Sequence, residues 1–227
     1  MMNEIFISTM LLTFKLAFVT TVILLILGTC IAYYLFVAKS HVKPLIETIV
    51  SMPLVLPPTV LGFYLLVAFS QENFLGRFLQ EYFGFRLTFT FAGLVFGSVI
   101  FSLPFMVHPI QNGLAALPKS LSEAATILGK SKVNIFFKIL LPNIKPSLLT
   151  GVVITFAHTI GEFGVVLMIG GNIPQKTRVA SLAVYDQVES LNYHEANKYA
   201  LTLFVISFCV LLLVYIVNKK YFAKGFR

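Results

Sequence analysis

The residue whose chemistry stands out in this sequence is Glu162, an acid inside a long apolar stretch from 147 to 171. A carboxylate in a membrane-spanning segment is costly unless it faces a bundle interior, a wet cavity or a partner. Gly161 and Gly164 flank it; they either let helices or backbone approach closely or serve only as packing contacts. The alternative for Glu162 is a carboxylate near the outer membrane boundary, hydrogen-bonded to loop backbone or paired with Arg178.

A second unusual stretch lies between 48 and 70, where Pro53 and the pair Pro57–Pro58 interrupt an apolar run. Proline leaves backbone carbonyls without partners, which a membrane tolerates only against protein or a water-lined cavity. The residues near the proline break and around Glu162 are therefore candidates for a translocation path or gate. The candidate set is Pro57, Pro58, Thr59, Gly161, Glu162 and Gly164.

No group of residues has the spacing of a catalytic site. The chain lacks the G-x-x-x-x-G-K-[ST] motif, so it does not bind ATP through a P-loop. The four histidines are scattered, and the two cysteines lie in apolar runs without a C-x-x-C pattern. We therefore expect no catalytic residues, no metal site and no cofactor bound by this chain, and any ATP hydrolysis must come from a partner.

Composition places the chain among polytopic membrane proteins of the all-α class. Of its 227 residues, 58% are hydrophobic and only 11% are charged, and the mean hydropathy is +0.89. At about 20 residues per span, about five spans fit and no separate soluble domain remains. The chain is thus predicted to be one transmembrane domain over 1–227, with no cleaved signal peptide. The predicted spans are 12–37, 48–70, 87–107, 147–171 and 199–217, with a loop over 118–146.

The distribution of Lys and Arg in short loops predicts the orientation of these spans. One side collects Lys39, Lys43, Lys119, Lys130, Lys132, Lys138, Lys145, Lys219, Lys220, Lys224 and Arg227. The other side collects Arg77, Arg86, Lys176, Arg178 and Lys198, diluted by five acidic residues. The first side is expected to be cytoplasmic, which puts the N-terminus outside and the C-terminus and the 118–146 loop inside.

The 118–146 loop is charged and amphipathic in an otherwise apolar chain. Ser120 and Glu123 have the spacing of a capping box, and a stripe of Leu121, Ala124, Ala125 and Leu128 follows. Gly129 is expected to end this helix and Ser131 to cap a second one. A second stripe of Val133, Phe136, Phe137 and Leu140 is closed by Pro142. The pattern alone is also typical of helices that rest on the lipid surface.

The residues of this loop resemble the "EAA…G…I-x-L-P" motif of the permeases of bacterial ABC importers. The matching positions are Glu123, Ala124, Ala125, Gly129, Ile139, Leu141 and Pro142. The resemblance implies a coupling helix that docks on a cytoplasmic ATPase, with ATP-Mg used by that partner subunit. In this reading Glu123 fixes the start of the helix, and Gly129 allows close backbone approach at the turn.

Two other stretches are similar to the permeases of molybdate ABC importers. One is the run P-L-V-L-P-P-T-V-L-G-F-Y over 53–64, and the other is the pattern G-E-F-G…G-N-I-P…T-x-x…A-x-Y over 161–185. The resemblance implies the MetI-like type I importer fold, a homodimer, two ATPase subunits and an extracytoplasmic molybdate-binding protein, in a bacterial or archaeal cell membrane. Gln175 departs from the Gly that many relatives carry, which affects only a loop turn.

The identity of the cargo stays open at this point between molybdate, tungstate and sulfate. A divalent oxyanion would be held by Arg, Lys or helix N-termini, yet the interiors of spans two to five carry no basic residue. We therefore expect a weak, gated path, with selectivity in the external binding protein. Other classes are a passive channel or a secondary transporter, where Glu162 would be central if transport were proton-coupled, and a membrane-embedded enzyme, for which no cluster of His, Asp or Glu is present.

Overall fold

The computed structural model describes the backbone of residues 2–224 and the side chains of residues 3–216, and the regular elements of this part are all helices. The side chains of Lys219, Lys220, Lys224 and Arg227, which contributed to the predicted orientation, lie outside the described residues.

Twelve α-helices are numbered here in chain order. They are α1 (Met2–Val37), α2 (Lys43–Ser51, continued by a 3-10 turn over Met52–Leu54), α3 (Pro58–Ala68), α4 (Phe74–Phe83), α5 (Phe91–Ala115), α6 (Lys119–Ile127), α7 (Lys132–Ile135, continued by a π-helical turn over Phe136–Leu140), α8 (Leu141–Asn143), α9 (Lys145–Ile160), α10 (Gly164–Gly170), α11 (Ala180–Glu189) and α12 (Tyr193–Lys224).

Three of these helices, α1, α5 and α12, are long and apolar enough to cross a membrane within the described part of the chain. The number rises to five if two bent helix pairs each count as one span. The first pair joins Lys43–Leu54 to Pro58–Ala68 at 110°, and the second joins Lys132–Asn143 to Lys145–Ile160 at 76°. The predicted span 48–70 is therefore two helices that meet at a sharp bend around 55–57.

The other interior spans also differ from their predicted bounds. The stretch 147–171 is interrupted at 161–163, between α9 and α10. The third predicted span, 87–107, is α5, which starts at Phe91. The Thr90 hydroxyl caps this helix by accepting a hydrogen bond from the Gly93 amide (3.1 Å). It also continues past Pro104 and Pro109 to Ala115, so proline does not end it.

The contacts of α5 give the relative directions of the helices. Leu16 and Leu94 share one buried cluster, and further along both helices an added Cβ at Gly28 would lie 2.7 Å from Met106. Because both contacts advance together, α1 and α5 run parallel. In contrast, Gly151 lies against Met106 and Glu162 lies against Ser98, so the α9–α10 segment runs antiparallel to α5. This alternation is the one that successive crossings of a membrane require.

The largest buried cluster joins the 118–146 loop to the ends of α1 and α5. It contains Leu35 of α1, Met106 and Leu114 of α5, and Ala125 and Leu140 of the loop. The ring centroids of Tyr33 and Phe136 lie 4.3 Å apart across the same contact. The loop is therefore packed onto the helix bundle as part of its core, and it is not a free segment on the lipid surface.

Replacement of Gly62 by Ala tests the tight packing of α3 on α10. The added Cβ would lie 2.8 Å from the Met168 Cβ and 2.9 Å from the Val165 Cα, so backbone has to move. We expect a loss of about 1–3 kcal/mol of stability, as overpacked sites show, measured as a lower thermal unfolding midpoint in detergent. Val67→Leu, which enlarges a side chain 42% exposed on the same helix, is the control. An unchanged midpoint for Gly62→Ala would contradict this packing.

Candidate functional site

The two interruptions of the chain, at 55–57 and at 161–163, meet beside the middle of α5. An added Cβ at Gly164 would lie 2.7 Å from the Pro58 Cβ and 3.0 Å from the Thr59 amide nitrogen, so α10 begins directly against the start of α3. On the α5 side, the Ser98 hydroxyl donates to Glu162 Oε2 (2.6 Å). Two broken helices thus share one junction, as in transporters that bind their cargo near the bilayer midplane.

A cavity of about 580 Å³ opens at this junction. Its lining consists of Pro58, Thr59, Phe101, Ala157, His158, Gly161, Glu162, Phe163 and Gly164. Five of the six residues predicted for the path or gate are brought together here, although they come from stretches about a hundred positions apart in the sequence. Pro57 is not among the lining residues, and the role of the set in transport stays a prediction.

The two glycines beside Glu162 differ in what surrounds them. At Gly164 a Cβ would collide with Pro58 and Thr59, so this position allows the close approach of α10 and α3. At Gly161 the nearest atom to an added Cβ, a carbonyl oxygen of the preceding turn, lies 3.8 Å away. Gly161 therefore ends α9 without a close contact, and only Gly164 has the packing role considered for the pair.

Glu162 is buried, with a relative exposure of 3%. Besides the bond from Ser98 to its Oε2, its backbone carbonyl accepts a hydrogen bond from the Ser181 hydroxyl. Oε1 has no hydrogen-bond partner among the described residues. The alternative that pairs Glu162 with Arg178 is wrong, because the Arg178 guanidinium lies 3.1 Å from Asp186 and donates to Asn172 instead.

A short chain of hydrogen bonds determines which ring nitrogen of His158 carries the hydrogen. The Thr159 hydroxyl donates its one hydrogen to the Thr155 carbonyl (2.9 Å). Ser102 must therefore donate to the Thr159 oxygen (3.1 Å), and it can only accept in its contact with His158 Nδ1 (2.9 Å). The hydrogen of the imidazole thus resides on Nδ1, and a neutral ring keeps a lone pair on Nε2. The Phe105 ring, whose centroid is 4.0 Å from that of His158, holds the ring in place.

A second polar cluster follows further along α5, toward the 118–146 loop. The Gln111 amide donates to Glu47 (2.9 Å), and the Lys43 ammonium lies 3.8 Å from the same carboxylate. Ser51 and His108 are joined by a hydrogen bond of 3.2 Å. This cluster was not predicted from the sequence. Its only signal was a set of polar residues in apolar segments, and nothing in their spacing indicated which helices would meet.

The turn of the 118–146 loop has the geometry that the sequence predicted. Gly129 has φ +72°, in the left-handed region, and no atom within 4 Å of an added Cβ. The Lys130 amide bonds back to the Ala125 carbonyl (3.1 Å), and the Ser131 hydroxyl accepts from the Asn134 amide (3.3 Å). The predictions of Gly129 as a helix end and of Ser131 as a cap are confirmed.

Other details of the loop differ from the prediction. The capping box of Ser120 and Glu123 is wrong, because Pro118 holds the extended conformation before the helix and α6 begins at Lys119, which places Ser120 inside its first turn. The second helix also does not close at Pro142 but ends at Asn143, after a π-helical turn. Proline lacks the amide that would bond to the Lys138 carbonyl, which accounts for an irregular turn at this point.

The stripes of the loop are only half buried, which leaves an exposed apolar surface. Of the residues in the two predicted stripes, Ala125, Phe136 and Leu140 are buried. Leu128, however, is 75% exposed, and Ile127, Val133 and Phe137 are exposed beside it. Glu123 and Ala124 lie on the exposed side as well, while Leu141 is half-buried and Pro142 is exposed. An apolar surface next to a tight turn is suited to binding another protein.

Among the described residues, no group of three His, Cys, Asp or Glu side chains could hold a metal ion. The described residues form a cavity at the junction of two broken helices and a left-handed turn in a loop that packs on the same bundle.

Comparisons with known proteins agree with this geometry. The family model described as "Binding-protein-dependent transport system inner membrane component" matches residues 24–227. The chain is 45% identical to the molybdenum transport system permease protein ModB of Azotobacter vinelandii, over 94% of both chains. It is 33% identical to a probable sulfate transport system permease protein of Chlorella vulgaris, over 93% of this chain and 79% of the relative.

Solved structures show the same fold. The MetNI methionine ABC transporter in an inward-facing conformation matches with a TM-score of 0.75 at 17% identity, over 96% of this chain and 97% of the other. A bacterial alginate ABC transporter matches with a TM-score of 0.77 at 17% identity, over 96% and 80%. The predicted all-α, MetI-like fold is therefore confirmed.

Gly164→Ala tests the junction of the two broken helices. The new methyl group has to push the first turn of α3 away, which weakens the bonds from the Val60 and Leu61 amides to the Pro57 carbonyl. We expect these amides to exchange hydrogen about tenfold faster, as a local loss of about 1.4 kcal/mol gives. Gly161→Ala, at an open position, is the matched control. Equal exchange in the two variants would contradict the junction.

Proposed function

This chain belongs to the family of binding-protein-dependent transport system inner membrane components, and we propose that it is the permease that carries molybdate in an ATP-driven importer. It is the membrane-embedded, non-catalytic subunit of an ABC importer and a multi-pass protein of the inner membrane. The observation that carries the choice of molybdate is the 45% identity to a molybdenum permease over nearly the whole of both chains. The sulfate permeases are more distant, at 33% and 32%.

The chemistry of the cavity supports a path that binds a passing anion only weakly. Its lining includes Thr59 and the imidazole of His158 as polar groups, the acid Glu162, and neither Lys nor Arg. Tight binding of a divalent oxyanion uses charged or multiple aligned donors. Selectivity therefore resides in an extracytoplasmic molybdate-binding protein that delivers the anion to the open cavity.

The exposed face around the cavity supports a homodimer. Thr59, which lines the cavity, is exposed, and so are Val55, Phe63 and Tyr64 at the α2–α3 bend and along α3. An ion path through a membrane needs polar or protein walls on every side, since lipid cannot solvate the ion. A second copy of the chain supplies the missing wall, with the path at the two-fold axis.

The 118–146 loop receives the driving force. Two ATPase subunits, which bind ATP-Mg, dock on the exposed apolar surface around Gly129 and draw both loops together when ATP closes them. The close-packed cluster of Ala125 and Leu140 with Leu35 and Met106 transmits this displacement to α1 and α5. The spans then rock between two packed arrangements, so that the cavity opens outward for loading and inward for release.

The orientation follows from where this loop must work. With the loop on the cytoplasmic side, the parallel helices α1 and α5 start outside, which puts the N-terminus outside and the C-terminus inside. The lysines around the loop, namely Lys119, Lys130, Lys132 and Lys138, then lie on the cytoplasmic side, where basic residues are favoured.

Uptake by the complete transporter in proteoliposomes tests the function directly. We expect labelled molybdate to enter only when ATP is supplied on the cytoplasmic face and the binding protein on the other. Sulfate and tungstate are offered as competitors, because the sulfate permeases are relatives too. Uptake of sulfate in place of molybdate would contradict the cargo. Uptake driven by an ion gradient without ATP would instead indicate a secondary transporter.

Gly129→Val tests the docking turn. Valine at a left-handed φ costs about 1–2 kcal/mol and adds bulk at the contact surface, so we expect uptake to fall about tenfold or more, the effect of a loss of about 1.4 kcal/mol in docking affinity. The chain offers a matched control in Gly84→Val. Gly84 has φ +62° and open surroundings but ends α4, which the orientation proposed above puts on the opposite side of the membrane. Full uptake by the Gly129 variant, or equal losses in both, would count against docking at this turn.

A further inference from the structure

We propose that Glu162 is held as a neutral carboxylic acid and that its Oε1 hydroxyl is the hydrogen-bond donor that the path presents to the passing oxyanion. The anionic nature of the cargo rests on the function proposed above. The protonation of Glu162 rests on the surroundings of the side chain alone.

No Lys or Arg in the wall of the cavity compensates a charge on Glu162. A buried carboxylate is stable when a cation or several donors replace the water it has lost. The residues that line the cavity from α3, α5, α9 and the turn before α10 include no Lys or Arg, and His158 is their only titratable group besides Glu162. Arg178, the residue considered as a partner of Glu162, is already bound by Asp186 and Asn172.

The carboxyl group of Glu162 has fewer hydrogen-bond partners than a carboxylate needs. An ionised carboxylate accepts up to about four hydrogen bonds, but Glu162 accepts one, from Ser98 to Oε2. Its Oε1 is buried and has no partner among the described residues. In the arrangement that we propose, Ser98 donates to Oε2 as the carbonyl oxygen and the proton is on Oε1, where it lacks an acceptor.

Glu47 shows how the same side chain looks when this fold supplies the partners of an ion. Its carboxylate lies 3.8 Å from the Lys43 ammonium and accepts a hydrogen bond from Gln111 (2.9 Å). The side chain of Glu47 is also 38% exposed, whereas Glu162 is 3% exposed. Glu47 thus has a cation and a hydrogen-bond donor beside its carboxylate, whereas Glu162 lacks a partner for one of its two carboxyl oxygens.

The proposed cargo is an anion, so the charge of the cavity wall affects its passage. An ionised carboxylate in the wall of the cavity would repel an oxyanion in a region of low dielectric constant, where charge interactions are strong. A neutral acid in the same place offers a hydrogen atom to an oxygen of the anion. Oxyanion oxygens are acceptors only, so an unpaired donor in the wall is the group they can use.

The packing of α3 on α10 controls when this donor is available. The carboxyl oxygen is shielded in the present conformation, and the contact of Gly164 with Pro58 and Thr59 closes the junction next to it. Separation of the two helix starts would uncover Oε1. The donor therefore meets the anion only in the open state, which keeps binding weak in the closed one.

Two substitutions separate the neutral donor from an ionised group. In Glu162→Gln an amide N–H replaces the Oε1 hydroxyl while the amide oxygen still accepts from Ser98. Glu162→Met keeps the length of the side chain and removes the donor. We expect the Gln variant to retain at least about half of the wild-type uptake, and the Met variant to lose about tenfold, the effect of one hydrogen bond of about 1.4 kcal/mol. Assembly with the ATPase and basal ATP hydrolysis verify that both variants fold.

Infrared difference spectroscopy on the assembled transporter detects whether Glu162 is protonated, independently of any transport measurement. The wild type should show the C=O stretching band of a protonated carboxyl, which Glu162→Gln removes and the control Glu47→Gln leaves in place. The band should shift when the ATP-bound transporter receives molybdate, or whichever tested oxyanion it carries.

Each possible outcome bears on the proposal. Absence of the band in the wild type, or inactivity of Glu162→Gln to the same degree as Glu162→Met, overturns the neutral acid. A band that persists but does not shift, together with full uptake by Glu162→Met, overturns the donor role. Failure of the wild type to carry any oxyanion refutes the proposed function instead, and the band still decides the protonation of Glu162.

Discussion

The structure depends on one constraint. Where a helix breaks inside a membrane, the backbone N–H and C=O groups that lose their helical hydrogen bonds must lie against protein or water. The chain breaks two spans, at 55–57 and 161–163, and packs the breaks against each other beside α5. Gly164 makes this possible because no side chain separates α10 from Pro58 and Thr59. The cavity and the buried Glu162 both result from this junction, since the broken segments leave space that continuous helices would fill.

The second feature that follows is mechanical continuity. The 118–146 loop shares a buried cluster with α1 and α5, in which Ala125 and Leu140 lie with Leu35 and Met106. Close-packed interiors transmit displacement rather than absorb it. The same α5 carries Ser98 and Ser102, which hold Glu162 and His158 at the junction. One helix therefore connects the 118–146 loop to the junction that contains Glu162 and His158.

Much of this architecture could be predicted from the sequence, for identifiable reasons. Prolines in an apolar stretch marked the break at 55–57, an acid in another marked Glu162 as a candidate although the break at 161–163 was not predicted, and the turn at Gly129 has a local signal that the structure confirms. What could not be predicted depends on contacts between distant residues. Ser98, the partner of Glu162, lies 64 positions away, and Arg178 found Asp186 instead. The capping box failed because Pro118 sets the helix start, and the 75% exposure of Leu128 could not be predicted from its place in an apolar stripe.

The most direct test of the account is the side from which the junction can be reached in each state. Thr59→Cys, in a chain whose Cys30 and Cys209 are replaced by Ser, would be labelled with a membrane-impermeant maleimide in oriented proteoliposomes that contain the complete transporter. The account predicts labelling from the cytoplasmic side without nucleotide, and from the outer side with ATP and the binding protein. Labelling from the same side in both states, or from both sides at once, would contradict it.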